Sequence, residues 1–427
     1  MKKQFFRYVF QNTAGMIGIS VYILADTFFI SVAAGPDGIT VLNLALPIYG
    51  IMFALGSMVG VGFATRYAIH KAQGRNCEAY FSTSLLWNLL LSLPFLLAGL
   101  FCPQAVLRLM GGDAGITALG TDYTRIFLVF APFFMMNYTF SAFVRNDNGP
   151  TTAMIATLAG SIYNIIFDFT FMFVFKLGLA GAALATGTAP ILGILINLSH
   201  VLSKKSSLRF RRVLPSVKLL FSSCPLGIGA FIGELSSAVT TTIFNFLILG
   251  LVGNIGVSAY GVIANLALVA MAIFNGISQG AQPLISRHFG EGHPAEVKTL
   301  LRLSLLTTAF AGGLLILLSF AFTDPLIGIF NSSGSPELLS YAHTGLRLYF
   351  PGFLPAGINI MLIAYYAATD RAKLSFAASL LRGVLVISLC SIVLSALFAM
   401  NGLWLSFLAA EVITLGFLLL TAGKSIS

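Results

Sequence analysis

Charged residues are scarce in this chain. Asp, Glu, Lys and Arg make up 9% of its 427 residues, whereas 57% of the residues are hydrophobic. A soluble domain carries about a quarter charged residues, so the composition excludes a soluble globular protein and indicates an integral membrane protein. Cysteine is also rare, and no two of the four cysteines form a CxxC pair; they are Cys77, Cys102, Cys224 and Cys390. The sequence therefore predicts neither a disulfide framework nor a zinc site.

Motifs of enzymatic or ATP-driven chemistry are missing as well. The chain contains no GxxxxGK[ST] phosphate-binding loop, no HExxH metal motif, and no GxSxG motif accompanied by a plausible catalytic triad. A membrane-bound enzyme would need a nucleophile or metal constellation near an interface, and the sequence offers none. We predict that the protein is not an enzyme, needs no cofactor, and uses an ion gradient if it transports.

Long hydrophobic segments are what the chain does contain. One crossing of the hydrocarbon core needs about 20 apolar residues, and twelve such segments alternate with turn-forming stretches such as Gly35-Pro36-Asp37-Gly38 and Asn331-Ser332-Ser333-Gly334. The segments fall at 10–34, 42–65, 80–101, 122–144, 152–175, 179–199, 219–250, 257–281, 299–322, 342–366, 374–398 and 402–422. The first is longer than the usual ~7–15-residue core of a signal peptide, so we interpret it as a retained helix. The expected fold is an all-α integral membrane protein.

The net charge of +10 follows from membrane topology. Of the 24 Lys and Arg residues, 19 fall in one set of alternating connections, which includes both termini and Lys424. The opposite connections hold only Arg108 and Lys176, with Arg125 and Arg347 at helix mouths. By the positive-inside rule, the first set and both termini are predicted to be cytoplasmic. We expect a plasma membrane protein, in the inner membrane if bacterial, with no nucleic-acid partner.

The sequence also repeats itself. A shift of 218 residues aligns segment 38–74 with segment 256–292 and keeps turn glycines and hydrophobic segments in step. We expect an N-terminal lobe at 1–203, a basic linker at 204–218 and a C-terminal lobe at 219–427. Six helices per lobe give both lobes the same orientation, related by a pseudo-two-fold axis along the membrane normal, as in one class of secondary transporter. The expected molecule is a monomer in contact with membrane lipids, and the linker is a further candidate for contact with anionic headgroups.

Four acidic residues interrupt the predicted spans: Asp26, Asp168, Glu234 and Glu411. An aspartate at a helix centre costs about 2.5–3.5 kcal/mol even on a lenient insertion scale, so ion or proton handling is the default hypothesis. Asp26 and Asp168 lie at similar depth on the first and fifth helices. Asn164 shares the helix face of Asp168 at i, i+4, and Thr186 lies on the sixth helix. Such oxygens suit sodium, and paired carboxylates also suit a proton. The structural alternative is a protonated aspartate that holds helices together.

The other intramembrane charges have more than one interpretation. Glu234 suits either a cavity that takes cationic substrates or structural pairing. Glu411 is expected to be structural, and Arg382 to reach the interface or to pair with an acid. His70 and His288 lie at the cytoplasmic ends of repeated helices and are expected to be solvated loop residues rather than metal ligands.

Four segments resemble the multidrug and toxic compound extrusion (MATE) transporters, and the similarity extends over essentially the whole chain. They are VYILADTFFIS (21–31), FVRNDNGP (143–150), YNIIFDFTFMFVFKLGLAGAALAT (163–186) and AYGVIANLALVAMAIFNGISQGAQPLISRHFGEG (259–292). The resemblance implies an exporter that exchanges sodium or protons for small organic, often cationic, compounds. It places a coupling-cation site at Asp26, Asn164, Asp168 and Thr186, with bound Na⁺ as the one metal to be expected.

Two further residues match functional positions of that family. Tyr123 stands where the fourth helix carries a tyrosine, and Glu234 stands where many members carry an acidic residue in the seventh helix, so the resemblance implies relay or substrate-binding roles. The proline that relatives often have before the aspartate of helix one is absent, which leaves Gly15 and Gly18 as points where that helix can bend.

Two alternative functions remain open from the sequence. A lipid-linked oligosaccharide or lipid flippase has a similar bundle but needs a cationic cavity, whereas intramembrane arginine is scarce here. A channel is disfavoured by the duplication and by the lack of a filter-like repeat.

Overall fold

The computed structural model describes residues 1–328 and 335–423, and this part of the chain is helical throughout apart from its connections. Two short helices, Pro103–Leu109 and Thr323–Gly328, lie on connections. The membrane-length helices are α1 (Lys2–Gly35), α2 (Asp37–Ala72), α3 (Glu78–Phe101), α4 (Ala114–Val129 and Ala131–Asn146), α5 (Pro150–Val174), α6 (Gly178–Val201), α7 (Val217–Leu251), α8 (Asn254–Gly290), α9 (Pro294–Ala321), α10 (Pro336–Ala368), α11 (372–398) and α12 (400–420).

Twelve spans are thereby confirmed, although one of them, α4, is interrupted in a way that the sequence did not indicate. The halves of α4 meet at 42°, and α11 runs into α12 through a sharp reversal at Phe398 and Ala399, where the helical φ/ψ angles are lost. Several helices are longer than predicted, since α1 begins at Lys2 and α8 continues to Gly290. Hydropathy marks only the part of a helix inside the hydrocarbon core, and these helices continue beyond it. The predicted turn at 331–334 and Lys424 lie outside the described residues.

The reversal between α1 and α2 depends on Gly35, whose φ of 58° and ψ of −149° belong to a region that glycine alone enters readily. Because α1 and α2 then run antiparallel, the side chains of Tyr22 of α1 and Tyr49 of α2 lie close to each other. In the same lobe, the expected bending points of α1 lie within a continuous helix and face α5. A Cβ added at Gly18 would lie 2.7 Å from the Leu158 side chain, and one at Gly15 would lie 3.5 Å from Thr157.

The two lobes meet closely at one end of the bundle, which we call the linker face because it carries the α6–α7 connection (202–216). A Cβ added at Gly227 of α7 would lie 2.0 Å from the Met58 carbonyl of α2, and one at Gly276 of α8 would lie 2.4 Å from Thr13 Cα of α1. Small residues permit such close helix packing in membranes. The lobes are therefore closed against each other near the linker face.

The α6–α7 connection is held to the N-terminal half of the chain by Asp147, which follows α4 and is 2% exposed. Its carboxylate accepts hydrogen bonds from Ser206 Oγ at 2.7 Å, Lys71 Nζ at 2.7 Å and the Ser207 amide at 3.0 Å. These bonds fix the start of the basic segment on α2 and α4. The exact limits predicted for the linker, 204–218, stay a prediction.

Candidate functional site

A cavity of about 470 Å³ lies between the lobes, in the half of the bundle away from the linker face. Both lobes contribute to its walls. The polar and aromatic lining residues are Tyr22, Asp26, Thr27, Asn43, Tyr49, Tyr123, Phe127 and Thr186 on one side, and Ser236, Ser237, Thr240, Thr241, Tyr260, Asn265, Tyr349, Phe353, Arg382, Phe407 and Glu411 on the other. Small-molecule sites commonly enclose about 300–1,000 Å³, so the cavity has the size of a binding site for an organic compound.

Asp26 and Asp168 form the acidic centre of the N-terminal wall. Asp26 of α1 lines the cavity, and its carboxyl group lies close to that of Asp168 on α5, which is 0% exposed. Neither oxygen of Asp168 accepts a hydrogen bond from an N–H or a hydroxyl group of the described residues. Two carboxylates in a poorly solvated place repel each other unless a proton or a cation lies between them. The pair is therefore built to hold positive charge.

Asn164 and Thr186 complete this cluster. Asn164 Nδ2 on α5 donates a 3.0 Å hydrogen bond to Thr186 Oγ1 on α6. This bond turns the amide so that Asn164 Oδ1 stays buried without a donor among the described residues. A buried acceptor without a partner costs about 1–3 kcal/mol, and a cation would satisfy it. Carboxylate, amide and hydroxyl oxygens are the donor set of hard cations, so the residues present fit Na⁺ as well as a proton.

The local helix geometry supports the same cluster. Two residues after Asp168, α5 changes from an α-helix to a π-helical turn at Thr170–Val174. Such turns are frequent at functional sites. Tyr123 of α4 is 3% exposed, lines the cavity, and stands within electrostatic range of both Asp26 and Asp168. The structure thus brings together Asp26, Asn164, Asp168, Thr186 and Tyr123.

Glu234 does not join this group. It is an exposed residue of α7 in the space between the lobes, next to the cavity-lining Gly233. Its charge acts on Tyr22 and Tyr138 of the N-terminal lobe rather than on Asp26 or Asp168. Glu234 is therefore a separate acidic group that faces the other lobe.

An ion pair lines the opposite wall of the cavity. Arg382 Nε of α11 lies 2.8 Å from Glu411 Oε1 and 3.0 Å from Oε2, and Glu411 of α12 is 3% exposed. Asn359 of α10 donates 2.8 Å hydrogen bonds to both the carboxylate and the backbone carbonyl of Glu411. Of the two expectations for Arg382, reaching the interface or pairing with an acid, the structure shows the pairing. That both residues line the cavity was not predicted, because depth along a helix says nothing about which way its faces turn.

His70 and His288 lie in the last turns of α2 and α8, at the helix ends where they were predicted. They are half-buried and part of the helices rather than solvated loop residues, and each has a partner close by. His70 Nδ1 lies 2.9 Å from the Tyr80 hydroxyl oxygen, and His288 Nδ1 lies 3.1 Å from Glu291 Oε2. His293 Nδ1 approaches the same carboxylate oxygen at 3.5 Å.

Two six-helix lobes that face each other across a polar cavity define a membrane transporter fold. The MatE family model matches residues 13–170 and again residues 230–392, once in each lobe. The chain belongs to the MatE family, and the predicted membership is confirmed. The two matches begin 217 residues apart (230 − 13), close to the shift of 218 at which the sequence aligns with itself. The two-lobed arrangement is confirmed with it.

Relatives and solved structures cover nearly the whole chain. The multidrug export protein MepA of Staphylococcus saprophyticus is 25% identical over 397 residues, which are 92% of this chain and 87% of the relative. MepA of Staphylococcus aureus MRSA252 is 24% identical over 395 residues, with 92% and 86% covered. The outward-facing structure of a multidrug resistance MATE family transporter superposes with a TM-score of 0.92 at 19% identity and covers 100% of this chain and 96% of that one. A MATE transporter in a straight conformation gives 0.92 at 18% identity, with 100% and 96% covered.

Proposed function

We propose that this protein is a secondary active multidrug exporter that exchanges Na⁺ or protons for organic compounds, with organic cations among its substrates. The observation that carries the proposal is the contact between Asp26 and Asp168 at the wall of the cavity. Family membership and the multidrug export activity named for the MepA relatives support it. The distribution of basic residues supports a plasma membrane location with both termini in the cytoplasm.

The chain's own groups suggest how exchange would be coupled. With the linker face in the cytoplasm, the conformation described is closed toward the inside, and the cavity belongs to the outward-facing state. Asp26, Asp168 and Asn164 Oδ1 would receive a cation from outside, with Thr186 holding the Asn164 amide in place. Because Asp26 also lines the cavity, neutralising it removes a negative charge that a cationic substrate would bind. Substrate and coupling cation then lower each other's affinity, which is the coupling free energy that exchange requires.

The decisive experiment is efflux of a fluorescent organic cation from vesicles, with sodium and pH gradients imposed separately. Asp168→Asn should abolish gradient-driven efflux and leave the protein folded, because a neutral amide lacks the negative charge that binds and releases a proton or Na⁺. The matched control is Asp122→Asn, because Asp122 has a 71% exposed side chain and is paired with Arg125. Wild-type efflux rates in Asp168→Asn would reject the site. The gradient that drives wild-type efflux identifies the cation.

The flippase remains the alternative function. One observation bears on it, because Arg382 places a guanidinium in the cavity wall. Glu411 neutralises that charge at 2.8 Å, which disfavours a strongly anionic lipid-linked substrate. Protection of a drug-sensitive host across a panel of compounds separates exporter from flippase.

A further inference from the structure

The guanidinium of Arg382 is only partly used by the protein. Its Nε–H bonds to Glu411, and Nη2 lies 4.0 Å from the Met271 sulfur. An arginine has five N–H donors, and the described residues provide no oxygen acceptor for the four on Nη1 and Nη2. Arg382 lines the cavity, so these donors are available to a molecule inside it.

The backbone places Arg382 in this position. The residue belongs to a π-helical turn of α11 at Leu381–Leu385. The next residue is Gly383, where an added Cβ would lie 1.8 Å from Ser236 Oγ of α7, so α7 packs directly against the turn. Ser237 and Thr240 follow on α7 and also line the cavity. The N–H donors of Arg382 and the hydroxyl groups of Ser237 and Thr240 therefore line the same cavity, and a guanidinium fork recognises a carboxylate.

Glu411 holds this arrangement in place. It is bound by Asn359 through two hydrogen bonds of 2.8 Å and fixes the guanidinium through Nε. It also cancels the net charge of Arg382, so that binding depends on directed N–H groups rather than on a general positive field. Arg382 lies on α11, the fifth helix of its lobe, and Asn164 and Asp168 lie on α5, the fifth helix of the other. The groups that actually face the cavity are Asp26 of α1 from one lobe and the Arg382 guanidinium from the other.

We propose that the cavity is a two-ended site for zwitterionic organic compounds, in which Arg382 binds the substrate carboxylate while the Asp26 wall receives its cationic part. The proposal rests on the proposed export function and specifies the substrate class. Arg382 is the residue that distinguishes a zwitterion from the corresponding cation.

The test uses two dyes that differ in one group. Rhodamine 110 carries a carboxylate and a cationic xanthylium at neutral pH, and rhodamine 123 is its methyl ester. Binding to the purified full-length protein is measured by fluorescence anisotropy for the wild type, Arg382→Gln and Arg382→Lys. Loss of a charge-assisted bidentate contact should weaken rhodamine 110 about tenfold in Arg382→Gln and change rhodamine 123 less than about twofold. Lysine should recover part of the rhodamine 110 affinity.

Two further variants keep the test decisive. Arg382→Gln combined with Glu411→Gln removes both charges, so no unpaired carboxylate stays buried, and it should show the same selective loss even if Arg382→Gln alone folds poorly. Arg347→Gln removes an exposed arginine of α10 that does not line the cavity, and it should bind both dyes as the wild type does.

The outcomes separate this proposal from the export function. Equal loss of both dyes, no loss of rhodamine 110, an equal loss in Arg347→Gln, or no rhodamine 110 binding by the wild type would overturn the role of Arg382. None of these binding results decides whether the protein exports, because gradient-driven efflux is measured in a separate experiment. Conversely, absence of efflux in vesicles would reject the export function, while the difference in binding between the two dyes would still decide the assignment of Arg382.

Discussion

The Arg66 guanidinium of α2 lies 2.8 Å from the Asp370 carboxylate in the α10–α11 connection, so an ion pair joins the two lobes at the linker face. Arg66 also donates a 2.6 Å hydrogen bond to the Ser222 carbonyl of α7. One side chain of α2 thus contacts two segments of the other half of the chain. Any movement that separates the lobes at this face must break both contacts.

Arg66→Ala should therefore shift the protein away from the closed state described here. The ion pair, with side chains 15% and 40% exposed, contributes below about 1 kcal/mol. The hydrogen bond of the Arg66 guanidinium to the Ser222 carbonyl adds about 1.5–3 kcal/mol, so we expect opening to increase about tenfold or more. Cys224 reports on it, because it packs against the N-terminal cluster that contains Val59 and Phe63. In a variant whose other three cysteines are serine, a maleimide should label Cys224 faster once Arg66 is alanine.

Arg125→Ala is the matched control for this measurement. It removes an arginine from another ion pair, with Asp122 at 3.3 Å, within one lobe and with both side chains at least half exposed. The labelling rate of Cys224 should stay at the wild-type value. An unchanged rate in Arg66→Ala as well would mean that the ion pair does not hold the lobes together.

Gly227 should be even more sensitive than Arg66 to substitution. A Cβ there would lie 2.0 Å from the Met58 carbonyl oxygen, a distance that requires the backbones of α7 and α2 to move apart. Gly227→Ala should speed Cys224 labelling in the same assay. Gly250→Ala is its control on the same helix, since nothing lies within 4 Å of a Cβ at that position. Equal rates in the two variants would contradict the close packing of α2 and α7.

Helix number and the depth of charged residues were predictable from the sequence for a physical reason. Hydrocarbon thickness sets the length of each apolar segment, and counting residues from a known end places Asp26 and Asp168 at one level. What counting leaves undetermined is the rotation of each helix about its axis. Arg382 and Glu411 are 29 residues apart on different helices, so their pairing depends on two such rotations. The same limit explains why Tyr80 beside His70 was not anticipated.

Thr186 should affect coupling by positioning Asn164 rather than through charge. Thr186→Val keeps the shape but removes the acceptor of the 3.0 Å hydrogen bond from Asn164 Nδ2, so the amide loses its fixed orientation. One such bond is worth about 1 kcal/mol, and we expect the cation concentration for half-maximal efflux to rise about fivefold. Thr186→Ser keeps the hydroxyl group and should behave as the wild type. Equal behaviour of the valine and serine variants would show that the bond is not used.

Asp147 should be the most important carboxylate for stability at the linker face. Burial alone would raise its pKa, but hydrogen bonds from His200, Lys71, Ser207 and Ser206 outweigh burial and hold the pKa well below the usual range. Asp147→Asn removes the charge that these donors surround, which should cost about 3 kcal/mol in the free energy of unfolding. Thermal unfolding in detergent measures the loss. Asp122→Asn, at a 71% exposed side chain, should leave the melting temperature unchanged.

The depressed pKa of Asp147 also predicts a pH dependence with a definite sign. A carboxyl group whose pKa is lower in the folded than in the unfolded protein contributes its full stabilisation above the unfolded value of about 3.9, and the contribution is lost as pH falls from there toward the folded pKa. Wild-type stability should therefore fall in that acid range more steeply than that of Asp147→Asn, and the two unfolding curves should converge. Parallel curves from pH 7 to pH 3 would show that the charge of Asp147 does not hold the α6–α7 connection in place.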